Sequence, residues 1–528
     1  MAEDEKKKSL LYKIKPITDR MPAVKKPEGH VHFRTKMMWV ILILILYFSM
    51  TQVMIYGLDR SQSVELFAQY RAILAGAQFS LMHLGIGPIV TGSIIMQLFT
   101  GAKIIKLNLK DSDDKAMYQG TQKFLVVIMI VVESVPQVFG FLTPSSSFIT
   151  GMNGALPFLS GDSLARLIII LQLVGGSYLV FLMDEVVSKW GIGSGISLFI
   201  AAGVSQAIFT GSLNWYPANP AEPMNTDNNY PVGTIPKIIY LWTNFSSQDL
   251  SGGGYEKMFL QNPNPLVALI GTVAIFLFVT YAESSRIELP LAHGGARGAR
   301  GRYPIKLIYA SNIPVILMAA LLANVSMFAM LFWQHPSFMN WPVFGHNWML
   351  GYYTNQNGQL QVMGGLAYYL STVNGVGDWL LPLLSDSYLG QMATNHSRLQ
   401  IIIHMVTYMG VMIGGSVLFA KFWIETTNMG PEAVASQIES SGMQIPGFRR
   451  DPRVLRRVLE RYIPVVTIIS GATVGALSSG ADLIGTVGNA SGTGVLLAVG
   501  ILINFYEAIG REQMMEMHPV LRGFFGGE

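Results

Sequence analysis

Apolar runs long enough to cross a bilayer recur along the whole of this 528-residue chain, and no other feature restricts its folds so far. A hydrocarbon core about 30 Å thick takes roughly 20 apolar residues in helical form. Such runs stand near 37–57, 87–102, 121–142, 164–183, 191–210, 264–283, 304–332, 399–423, 462–481 and 491–509. Inside hydrocarbon every backbone N–H and C=O needs an internal partner, so runs of this length specify helices. The expectation is an all-α polytopic membrane protein with ten transmembrane helices. Composition agrees, since 51% of residues are hydrophobic and only 13% charged, about half the charge of an average soluble domain. Because the runs cover the entire length, a lone signal peptide or single anchor is excluded.

Lys and Arg accumulate in loops that stay in the cytoplasm. Thirty of the 36 basic residues fall in one alternating set: residues 1–36, the loops near 103–123, 284–306 and 421–461, Lys189 and the tail. The opposite set holds Arg60, Arg71, Arg166, Lys237, Lys257 and Arg398, and the stretch 333–397 has no Lys or Arg. Ten crossings with this bias predict that both termini are cytoplasmic. In the first segment Leu10, Leu11, Ile14, Ile17 and Met21 recur at helical spacing, which predicts a short amphipathic helix on the membrane surface, a solvated tail being the alternative. Its basic residues suit lipid headgroups.

Three stretches break the pattern of spans. Residues 62–86 are only moderately apolar, carry Gln69, Gln78, Ser80 and His83, and run into Gly85-Ile86-Gly87-Pro88. This predicts a broken, re-entrant helix pair, which a membrane tolerates only where it lines a water-filled cavity or is buried in protein. The outer loops 211–263 and 333–397 are rich in Asn, Pro, Gly and Trp and are expected to pack as small irregular caps. His83 beside a helix break reads as a local hydrogen-bonding group rather than a pH gate.

The chain has no cysteine, which rules out disulfides, thiolate metal sites and a Cys nucleophile. It also lacks the phosphate loop, the H-E-x-x-H zinc motif and the G-x-S-x-G elbow. No enzyme, cofactor or metal is therefore expected. Two other classes compete with a channel. A secondary transporter also uses inverted repeats and a broken helix, but needs an ion-coordinating polar site at mid-membrane. An intramembrane protease needs paired carboxylates, and Asp184 and Asp482 fall at span ends in different halves.

Six segments, in order along nearly the whole chain, carry a resemblance: Leu84-Gly85-Ile86-Gly87-Pro88-Ile89-Val90-Thr91, Ile95-Met96-Gln97-Leu98, Gly191-Ile192-Gly193-Ser194-Gly195-Ile196, Arg286-Ile287-Glu288-Leu289-Pro290, Ser311-Asn312-Ile313-Pro314-Val315-Ile316-Leu317 and Glu425-Thr426-Thr427-Asn428-Met429-Gly430-Pro431. The sequence resembles the SecY family, specifically the archaeal and eukaryotic type of the Sec translocon's large (alpha) subunit. The resemblance implies two inverted five-helix halves with a re-entrant plug helix, a central pore, and an opening to lipid between the second and seventh spans. On that basis residues 1–36 form a cytoplasmic segment, 37–210 the first half with a plug at about 65–81, 211–263 an external hinge loop, 264–509 the second half with cytoplasmic loops 284–303 and 424–461, and 510–528 a cytoplasmic tail.

The implied activity is a protein-conducting channel in the plasma (cell) membrane, passing unfolded secretory polypeptides and releasing transmembrane segments sideways. An aliphatic constriction dewets when empty and conforms around any passing side chain. The resemblance places it at Ile86, Val90, Ile196, Ile200, Ile316 and Leu496 or Leu497, with Leu497 preferred. The plug is marked by the small residues Ala72, Ala75, Gly76, Ala77 and Ser80, and the lateral gate by Thr91, Glu133 and Asn312. Implied partners are the SecE-type and Sec-beta small subunits, signal sequences and nascent polypeptides. The Arg-Gly alternation that carries Arg297, Arg300 and Arg302, together with Arg286, Arg449 and Arg450, suits the phosphates of ribosomal RNA on a flexible backbone.

Overall fold

In the computed structural model the described residues are 15–18, 20–29, 31–59, 63, 71–101, 104–105, 107, 112–154, 159–219, 222–225, 229–293, 300–308, 312–334, 349–356, 359–391, 396–427, 429–440, 443–444 and 452–517. The protein is helical. The first five principal helices are α1 (Phe33–Gln52), α2 (Gly87–Gly101), α3 (Ser112–Gly140), α4 (Gly161–Trp190) and α5 (Gly195–Leu213). An outer helix α6 (Thr234–Asn244) precedes α7 (Leu266–Ser284), α8 (Ile313–Gln334), α9 (Arg398–Thr426), α10 (Pro452–Ile484) and α11 (Gly492–Met517). Among the described residues nine of these are long and apolar enough to span a membrane. The tenth predicted span, α2, has 15 residues, about 22 Å of helix.

Its shortness follows from the chain before it. Gly85 holds φ +55°, and a Cβ there would collide with the Leu74 carbonyl oxygen. The backbone folds back on itself at this point, so no helix can run through. Span seven likewise begins later than its apolar pattern suggests, at Ile313 rather than 304, because residues 300–306 form a strand.

The same junction is built twice. Near the end of α4, Asp184 accepts the Ile196 N–H at the start of α5 at 2.9 Å. Near the end of α10, Asp482 accepts the Thr493 N–H at the start of α11 at 3.1 Å. A carboxylate at a helix N-terminus satisfies orphan N–H groups and complements the helix dipole. Five crossings separate the two junctions, so they lie at opposite ends of the bundle, as an inverted repeat requires. The pair thus has structural work, and the two carboxylates are not brought together as a protease would need.

The outer connections carry more local structure than irregular caps. Besides α6, the second holds an antiparallel hairpin of β3 (Tyr352–Gln356) and β4 (Gln359–Gly364) and three short helices. On the other side, the loop expected to be flexible forms a hairpin: β1 (Arg286–His293) pairs with β2 (Arg300–Lys306), Arg286 opposite Lys306. Strand β5 (Met443–Gln444), from the second basic loop, adds to β1 and ties the two loops together. At the N-terminus the described helix is a single turn, Lys15–Thr18, and residues 1–14 of the predicted amphipathic helix lie outside the described residues. Beyond it the chain is fixed to α4, where the Val24 N–H donates to Glu185, Lys123 and Lys189 pair with the same carboxylate, and Trp190 donates to the Lys25 carbonyl.

Candidate functional site

The six predicted ring residues come from four helices or their entry turns and meet in one apolar core. Ile86, Val90, Ile200, Ile316 and Leu497 are buried in a single contiguous cluster, Leu496 with them, and the half-buried Ile196 packs against it. Ile86 lies in the turn before α2, and Val90 one helical turn on, so both point to the same face. The six side chains themselves are aliphatic and offer no polar group that could coordinate an ion.

The predicted plug segment packs into the same core, with Ala72, Ile73, Ala75 and Met82 among its buried members. Residues 65–70 lie outside the described residues; over 71–86 the backbone makes tight turns in place of a helix, with positive φ at Ala75 and Phe79. Turns arise because the segment spends its hydrogen bonds locally: the Ser80 hydroxyl donates to the Ala77 carbonyl and accepts from the Met82 N–H. Ala72, Ala75 and Ser80 are buried, Gly76 and Ala77 half-buried. Three hydrogen bonds between described residues fix the segment to α1 and the chain just after it. Ile55 donates to the Phe79 carbonyl, Leu81 to the Val53 carbonyl, and the Tyr47 hydroxyl to the Ala75 carbonyl. His83 accepts the Phe79 N–H through Nδ1 at 3.2 Å, the local role its position suggests.

Between this segment and helices α2, α3 and α8 lies a small pocket, lined by Thr91, Glu133, Gln137, Asn324, Arg71 and His83 among others. Thr91 accepts a hydrogen bond from the Asn324 amide at 2.9 Å, joining α2 to α8. Glu133 is buried beside Gly87 and Thr91. Its Oε1, like Oε1 of Gln137, has no hydrogen-bond partner in the structure. Thr91 and Glu133 are therefore together as expected. Asn312 is not with them: it donates to Glu283 of α7 at 2.9 Å and packs on Gly500 of α11. Twelve residues separate Asn312 from Asn324, about 18 Å along a helix. Both asparagines punctuate the same apolar run, and only packing tells which reaches α2.

The SecY family model matches residues 80–506, and a model for the plug domain of Sec61p matches residues 45–78. The chain belongs to the SecY family. Protein translocase subunit SecY of Archaeoglobus fulgidus is 43% identical over 522 residues, covering 98% of this chain and 99% of that protein. A solved protein-conducting channel aligns with TM-score 0.72 and 37% identity over 96% of this chain and 98% of its own. Sec61 in a canine ribosome-channel complex from the endoplasmic reticulum aligns with TM-score 0.70 and 37% identity, covering 96% and 98%. These relatives carry translocase and channel names, and the secondary-transporter alternative draws no support from them.

On this SecY chain the predicted cytoplasmic partner-binding arginines divide by position. Arg286 and Lys306, at the base of the hairpin, both pair with Glu507 of α11, so Arg286 anchors the hairpin to the bundle. Arg300 and Arg302 lie on β2, and Arg297, Arg449 and Arg450 lie outside the described residues. Sequence alone offered no sign of the Glu507 anchor, because 221 residues separate it from Arg286.

Proposed function

We propose that this protein is the channel subunit of a Sec translocon, passing unfolded secretory polypeptides through the aliphatic centre and releasing transmembrane segments between α2 and α8. One observation carries the reading: buried aliphatic side chains of α2, α5, α8 and α11 converge in one core that also takes in Ala72, Ile73, Ala75 and Met82 of the turn-built segment. A polypeptide passing such a centre meets no binding site, and ions meet no ligand. The chain conducts and does not catalyse; the work of transport comes from a translating ribosome or another partner. The SecE-type and Sec-beta subunits complete the assembly. Both termini are cytoplasmic and the membrane is the plasma membrane, a reading supported by the skew of thirty of the 36 basic residues toward one set of loops. Ribosomal RNA phosphates are met by the joined sheet of the two basic loops, with Arg297, Arg300, Arg302, Arg449 and Arg450 as the contact candidates and Arg286 holding the sheet in place.

Ion conductance in a planar bilayer tests the core of this. The intact protein with its small subunits should be silent, and the form lacking residues 65–81 should flicker open. Silence from both forms, with proton- or sodium-coupled exchange of a small solute across vesicles, would identify a transporter instead.

A further inference from the structure

Helix α6 is inside out for a helix in water. Its single charged residue, Lys237, is fully buried together with Leu241, while Ile235, Ile239 and Trp242 stand 40%, 46% and 60% exposed. These three recur at i, i+4 and i+7, so they form one stripe along about 10 Å of helix. A helix facing water places its Lys outward and its Ile and Trp inward. The reverse arrangement suits a helix whose outer surroundings are less polar than its support.

The position of α6 agrees. Helix α5 has 19 residues, about 28 Å, which matches the hydrocarbon thickness and puts Leu213 at its boundary. Directly there the Gly233 N–H, at the start of α6, donates to the Asn214 carbonyl at 2.9 Å. On its buried side Lys237 donates to the carbonyls of Gln261 and Pro263 at 2.6 and 3.0 Å, immediately before α7. The helix is thereby fixed between the end of α5 and the start of α7, at membrane-boundary level. At the same end of α5, Phe209 and Leu213 are exposed, as are Trp215 and Tyr216 just beyond it, the aromatic pair being of the kind that collects at the membrane interface.

We infer that α6 lies in the outer interface of the bilayer, with Ile235, Ile239 and Trp242 in contact with lipid and Lys237 turned inward to hold the two halves of the chain. An uncharged aliphatic and aromatic face fits glycerol and upper acyl segments. The segment joining the halves is thus seated on lipid rather than free in the outer medium.

The absence of native cysteine makes single-site labelling clean. Ile235→Cys, Ile239→Cys and Trp242→Cys, with Ser247→Cys as the water-facing reference, are labelled with a nitroxide in the full-length protein in phosphatidylcholine–phosphatidylglycerol vesicles. Power saturation against oxygen and a nickel chelate should give the three stripe positions a several-fold higher oxygen-to-chelate ratio than position 247. Chelate access equal to that at 247 would place the stripe in water and overturn the inference. Shielding from both reagents would overturn it too, by showing a second copy or a partner chain on this face.

Discussion

The seam between α2 and α8 and the junction between α10 and α11 are both buried polar places among apolar helices, and they are built in opposite ways. At the junction, Asp482 receives the Tyr408 hydroxyl at 2.6 Å, the Thr493 hydroxyl at 2.7 Å and the Thr493 N–H at 3.1 Å. The Ser478 hydroxyl closes on Thr493 as well, and the carbonyl of Asp482 itself accepts the Gly375 N–H at 2.8 Å. At the seam one hydrogen bond, Asn324 to Thr91, joins the two helices, and Glu133 and Gln137 turn carboxyl and amide oxygens into a cavity. A fully satisfied network rigidifies, whereas a partly satisfied one resists separation weakly because parting loses few bonds. The two places therefore suit different tasks: α10 and α11 stay together while α2 and α8 part.

The largest expected effect comes from amide substitution at each place. Asp482→Asn keeps one accepting oxygen and turns an NH₂ group toward the donors that met the other, and should cost about 3 kcal/mol, since each buried group left unsatisfied costs about 1–3 kcal/mol. Glu133→Gln, whose Oε1 already lacks a partner, should change stability by less than about 1 kcal/mol. Thermal unfolding followed by size-exclusion monodispersity in detergent compares the two. Equal losses would remove the distinction between seam and junction.

A smaller effect should come from closing the seam with apolar surface. Asn324→Leu removes the single hydrogen bond to Thr91 and replaces it with aliphatic contact against Ala and Met neighbours along the cavity. The closed state should gain about 1 kcal/mol, roughly fivefold in the closed-to-open ratio. Translocation of substrates with weakly hydrophobic signals should fall by a similar factor, while strongly hydrophobic signals, which partition with energy to spare, should be little affected. Asn312→Leu serves as the comparison: it breaks a bond to Glu283 in another part of the bundle and should lower stability without this signal dependence. Identical signal dependence for both would mean that Asn312 acts at the opening after all.

What the sequence made legible follows the range over which each signal acts. Ten apolar runs and the skew of Lys and Arg are set by the bilayer, which reads each segment separately, and the helices stand close to where those runs lie. The resemblance groups Thr91 with Glu133, and the fold sets the two side by side. The resemblance names Asn312, while the fold sets Asn324 against Thr91, because both lie in one apolar stretch and only the packing of α2 on α8 separates them. The turns over 71–86 were hidden for a related reason: small residues such as Ala72, Ala75 and Ala77 favour helix, and only the close approach of Gly85 to Leu74 forces the chain to double back. Helix-versus-hairpin ambiguity also hid β1 and β2, where Gly-Arg alternation suggested a loose chain and the register Arg286–Lys306 closes a ladder.

The smallest effect concerns the anchor between the halves. Burial pushes the Lys237 ammonium down to about 8 from its ordinary 10.5. Between pH 8 and 10.5 the folded protein has released this proton while the unfolded chain still binds it. Stability of the outer cap therefore rises with pH across that window. The neutral amine keeps two N–H groups, enough for the carbonyls of Gln261 and Pro263, so deprotonation costs no hydrogen bond. Proteolytic cleavage between residues 234 and 263 should slow as pH is raised from 7.5 toward 9.5 at fixed protease activity, and Lys237→Met should abolish the trend. Faster cleavage at high pH would show that the charge itself, facing the Tyr230 ring at 4.9 Å, holds the cap, and would make this anchor a cation clamp rather than a hydrogen-bonded one.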